Sequence, residues 1–143
     1  MLPIIFDKAF ILQIAKFAMR FAIVAFGLRD LVERISSDYP QADVFNDLDF
    51  EFEDYDFLVL ASELGGEEGE RLISTIENLK CDFLIFCVTS TNFEGLQRSR
   101  VQANEIMKRV QRFEGAILSG FLSFEEIVEA IRVVIDEKLL EVP

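Results

Sequence analysis

The sequence predicts an α/β fold, a single doubly wound (Rossmann-like) domain with a mostly parallel sheet and helices on both faces. Three observations lead there. Short, wholly apolar runs such as FAIVAF and FLVLAS read as strands buried on both sides. Segments of helical periodicity separate them, at lengths that suit βαβ crossovers. The 143 residues, 51% hydrophobic and 28% charged, suit one domain with a real core.

Residues 1–20 read as an N-terminal apolar helical extension of this single 1–143 domain, with the helix at 8–20. Lys16, Arg20 and Gln13 form one polar stripe on it, which argues against a membrane span. The start MLPIIFDK lacks the basic opening of a signal peptide. Burial against the sheet is the favoured role for this helix. Docking of a second chain on Phe10 and Phe17 is the other.

RFAIVAFG (20–27) is then a buried parallel strand, and LRDLVERISSDY (28–39) a helix with Leu28, Leu31, Val32 and Ile35 on one face. Pro40 follows, where helices stop. QADVFND gives a short strand, YDFLVLAS (55–62) a buried one, and GERLISTIENLK a helix. CDFLIFCVTS is a strand, GLQRSRVQANEIMKRVQRF a long amphipathic helix and GAILSG a short strand. FEEIVEAIRVVIDEKLL closes the chain as a helix capped near Ser123.

Composition excludes several function classes. The chain has no His, which removes imidazole catalysis and the commonest zinc ligand. A net charge of -12 argues against nucleic-acid binding. Cys81 and Cys87 form neither a C-x-x-C pair nor a disulfide framework, so two reduced, buried cysteines in a cytoplasmic protein are expected. Residues 43–70 carry eleven acids and no Lys or Arg. Within them DLDFEFED alternates acid with apolar residue, as an extended edge segment would. No turn gathers these acids around a cation, so no metal site is expected and a basic protein partner suits the field better.

Doubly wound sheets bind ligands at the carboxyl ends of their strands, and three loops there are readable. G-L-R-D has a single glycine, too few for a phosphate cradle. ELGGEEGER (63–71) carries Gly65, Gly66 and Gly69 among glutamates, and TSTNFEGLQR follows the CDFLIFCV strand.

Together the second and third loops resemble the nucleotide-binding half of the FtsZ/tubulin family. That family carries a strand, a G-G-G-T-G-[TS]-G loop and a helix, then a strand ending V-T and an F-E-G-x-x-R stretch. Val88, Thr89, Phe93, Glu94, Gly95 and Arg98 fall on the second pattern, and Gly65, Gly66 and Gly69 on the first. The resemblance spans most of residues 20–140 and implies a fold similar to the FtsZ/tubulin N-terminal domain. It also implies that Gly65, Gly66, Gly69, Glu94 and Arg98 would hold any nucleotide.

The departures decide the expected function. Glu67, Glu68, Glu70 and Arg71 stand where the family has glycine, threonine, threonine and glycine. Three carboxylates repel a triphosphate, and Arg71 offsets only one of them. The family's acidic activating loop, which follows the last helix, would lie beyond Pro143. The reading is therefore a non-catalytic FtsZ/tubulin-like domain, with no catalytic residues and no cofactor, acting through a protein partner or as a homo-oligomer. One alternative is a regulatory module that binds GTP or GDP with magnesium but has no autonomous GTPase activity. Another is an unrelated doubly wound domain, which a different sheet order would favour.

Overall fold

The computed structural model describes residues 19–141. The helix expected at 8–20 lies almost wholly outside them. Among the described residues the sheet has five strands: β1 (Phe21–Phe26), β2 (Ala42–Phe45), β3 (Phe57–Glu63), β4 (Phe83–Val88) and β5 (Gly115–Leu118). They lie in the order β2-β1-β3-β4-β5, and every pair is parallel. Helices α1 (Arg29–Ser37), α2 (Glu67–Ile76), α3 (Phe93–Arg109) and α4 (Phe124–Leu140) connect or close them. The single doubly wound α/β domain expected from the sequence is therefore present.

Alternation along the strands builds two cores. Phe21, Ile23 and Ala25 of β1 face α1 and α4, where Leu31, Val32, Ile35, Val128, Ile131 and Ile135 are buried. Ala22, Val24 and Phe26 face the other way, toward Leu72, Ile73 and Ile76 of α2 and Ile106 of α3. Each central strand is covered on both sides, which is why its sequence is continuously apolar.

Helix starts follow local chemistry. Ser123 and Glu126 form a reciprocal capping box at α4. The Asn92 side chain accepts the Gly95 N–H at α3, 2.7 Å away. That helix begins at Phe93, ahead of the Gly95 start expected. α2 begins at Glu67, before the expected glycine, and carries Glu67, Glu68 and Glu70 in its first turn. Carboxylates favour the positive end of a helix, so the three glutamates that looked hostile to phosphate help to start α2.

The extended reading of DLDFEFED is corrected. The segment bends and closes a 3-10 turn at Phe52–Asp54. Phe50 stacks on Phe45 at 4.2 Å and packs edge-on to Phe52 and Tyr55. Burying these rings against α2's side of the sheet outweighs the period-two pattern.

Candidate functional site

The chain reverses direction across the sheet between β1 and β3, and in a sheet of this order the crevice at that switch point is the ligand site. A cleft of about 400 Å³ lies there, lined by Leu28, Glu63, Gly65, Gly66, Thr89 and Ser90 among others. An apolar hollow of about 320 Å³ adjoins it, sharing Leu28 and Val88 and adding Leu31, Phe124 and Ile127.

Four loops shape this edge. The β1–α1 turn is Gly27–Leu28, both with positive φ (79° and 56°), and it throws the chain straight into α1. A Cβ on Gly27 would meet the Glu63 carboxyl carbon at 2.9 Å, so the end of β3 lays a carboxylate directly against this turn.

The β3–α2 loop holds Gly65 and Gly66, the first turn of α2 holds Gly69, and two of the three answer to packing. Gln102 of α3, only 2% exposed, reaches under the loop. Its Oε1 accepts the Gly65 N–H at 2.7 Å, and its Nε2 donates to the Gly66 carbonyl and to Glu70 Oε1, each at 3.0 Å. A side chain on Gly69 would fall on the Gln102 amide. Gly65 has φ +99°, and a Cβ there would stand 2.6 Å from the Gly95 carbonyl oxygen. Gly66 has open space around it. The Gly65 N–H, which a phosphate loop would aim at its ligand, is donated inward.

The β4–α3 loop is tied down in the same way. Ser99 Oγ donates to the Gly95 carbonyl at 2.7 Å and accepts the Ser90 N–H at 3.0 Å. Thr89 Oγ1 accepts the Gly120 N–H at 3.0 Å, which joins this loop to the β5–α4 loop. In contrast, the aromatics at this edge project outward: Phe93 is 76% exposed, Phe121 70% and Phe124 44%.

The expected nucleotide-binding residues separate accordingly. Gly65 and Gly66 line the cleft, whereas Gly69 is buried beneath Gln102. Glu94 and Arg98 are exposed on α3, away from the cleft lining. Arg71 turns from the loop altogether: it pairs with Glu68 at 2.6 Å and lies 5.2 Å over the Phe26 ring. Cys87, buried in β4, has its thiol pushed up to about 12 by burial, which makes it an inert core residue. Among the described residues no group of three His, Cys, Asp or Glu could hold a metal ion.

Sequence reasoning missed Gln102 and Ser99. The signal was available: Gly95, Ser99, Gln102 and Ile106 recur at helical spacing on the buried face of α3. Polar residues at core positions of a helix must be bonded, and the loop backbone is their partner. Phe121 and Phe124 carried no signal, because single exposed aromatics in loops look like any others.

No family model matches the chain, and no curated protein matches it. Among solved structures it is similar to oxidised flavodoxin 1 from Bacillus cereus, at 10% identity and a TM-score of 0.52. That likeness covers 85% of this chain and 96% of the flavodoxin. The fold is thus flavodoxin-like, in agreement with the strand order. The FtsZ/tubulin resemblance, and the function drawn from it, are overturned. The glycines and FEG that suggested it have local causes: Gly65 and Gly69 make room for Gln102 and the Gly95 carbonyl. Gly95 itself sits against Ser90 at the strand-to-helix turn.

Proposed function

We propose that the chain is a flavodoxin-like module that docks on a partner protein through the carboxyl edge of its sheet. The observation that carries this reading is the contrast at that edge. Its polar loop groups bond to one another, while Phe93, Phe121 and Phe124 stand in solvent. Exposed aromatics rimmed by charge suit a protein interface.

Flavin mononucleotide sits at the β1/β3 switch point in flavodoxin-type sheets, and the residues here do not fit its phosphate. The two-residue β1–α1 turn offers no cradle, α1 has no side-chain cap, and the Glu63 carboxylate lies against the turn. Charge repulsion therefore stands where a phosphate needs N–H donors. Glu94 and Glu126 flank the aromatics, while Glu125 is paired with Arg34, so two copies facing each other here would set like charges together. A different protein, basic around an apolar centre, is the better complement.

The test is photo-crosslinking in the native host from benzoylphenylalanine at position 121, with exposed Val133 on α4 as the control position. The crosslinked protein is then titrated with the wild type and with a Phe93→Ser, Phe121→Ser variant. We expect a basic protein captured from 121 and not from 133, and a loss of affinity of roughly tenfold or more in the variant. Capture from both positions alike, capture from neither, or unchanged affinity would overturn the reading.

A further inference from the structure

The amino-terminal end of the sheet holds a different kind of surface. The connection from β2 to β3 folds its rings inward, and between it and the turn entering β4 lies a cavity of about 500 Å³. Phe52, Tyr55 and Cys81 supply its apolar wall and Lys80 the one cation of its lining; of its carboxylates, Asp56 accepts the Arg20 backbone N–H at 2.9 Å and Asp82 pairs with Lys138 at 2.7 Å, while Glu53 stands exposed on the rim. Exposed Asp47, Asp49, Glu51 and Asp54 continue the same sign along the connection. Aromatic faces beside carboxylates are the surroundings a guanidinium or ammonium group prefers.

The chain itself displays that chemistry next door. The Arg20 guanidinium lies 5.2 Å over the Tyr55 ring while its Nη2 donates to Asp43 Oδ2 at 3.1 Å. The Tyr55 hydroxyl donates to the same carboxylate, at 2.7 Å, so ring and acid are held together as a unit. A metal ion is a poor occupant, since no three potential ligands converge among the described residues.

We infer that this cavity docks a partner segment in which arginine or lysine alternates with apolar residues, the cation meeting Glu53 and the apolar side chain filling the space against Phe52. The site is at the opposite end of the strands from the proposed partner edge and stands or falls separately from it.

Binding of a fluorescein-labelled peptide of alternating arginine and leucine, followed by anisotropy, tests this. The comparison is between Glu53→Lys, in the cavity rim, and Glu129→Lys, an equal charge change on exposed α4. Saturable binding that Glu53→Lys weakens roughly fivefold or more, with Glu129→Lys within about twofold, is the expected result. Circular dichroism of both variants should match the wild type. Failure of the peptide to bind, equal weakening by both variants, or equal affinity for spermine would overturn the inference. The last two would mean a diffuse acidic field or simple cation capture instead of a shaped site.

Discussion

The β3–α2 loop and the β5–α4 loop stand on the same edge of the sheet and use their residues in opposite ways. The first is rich in glycine, reads like a ligand loop, and turns its polar backbone inward onto Gln102. The second has one glycine and no motif, and it leaves Phe121 70% exposed. The lesson is that glycine spacing reports where backbone and side chain approach closely, and the approaching group can be the protein's own. Surface available to a partner is found in what the fold leaves unpaired.

Substitutions in the first loop sharpen this contrast, and the largest effect is expected at Gly65. Gly65→Ala forces a Cβ toward the Gly95 carbonyl at a φ of +99° and should destabilise by about 3 kcal/mol in urea unfolding. Gln102→Ala leaves the Gly65 N–H and the Gly66 carbonyl without their partner and should cost about 2 kcal/mol. Gly69→Ala should be costly in the wild type and much less so beside Gln102→Ala, because the amide it strikes is gone; additivity in that double-mutant cycle would refute the contact. Gly66→Ala meets nothing and should cost less than about 1 kcal/mol, although a phosphate loop would tolerate it least.

The smallest effect is a pH dependence at the start of α4, beside the second loop. Glu125 is held below the ordinary glutamate value by its hydrogen bond from Arg34, and Glu126 by the Ser123 N–H. Their contribution is complete above the ordinary value and is lost as pH falls through the lowered one. Glu125→Gln should therefore lower the neutral plateau slightly and leave stability in strong acid nearly unchanged, which flattens part of the acid decline. An identical acid limb in wild type and variant would contradict the Arg34 tie.

Most of the fold was legible because its strands are buried on both faces and its helices carry a clear periodicity. The capping box at Ser123 and Glu126, the continuous apolar runs and the Leu31, Val32, Ile35 stripe all mean locally what they mean in the structure. The site was far less legible. The spacing of α3 marks Gln102 as a buried polar residue in need of a partner, but Gly69 lies thirty-three positions away and nothing in the sequence names it as what that side chain meets. The DLDFEFED pattern misled for the same reason: the rings of Phe50 and Phe52 answer to Phe45 and Tyr55, and local alternation carries no knowledge of them.

The most direct single measurement is a calorimetric titration of flavin mononucleotide, with GTP and magnesium in parallel, into folded protein verified to be empty. No saturable heat is expected, because the Gly65 N–H is committed to Gln102 and Glu63 lies against the β1–α1 turn. Saturable binding of either compound would mean that the loop opens to phosphate, and would contradict the assignment of Gly65 to packing.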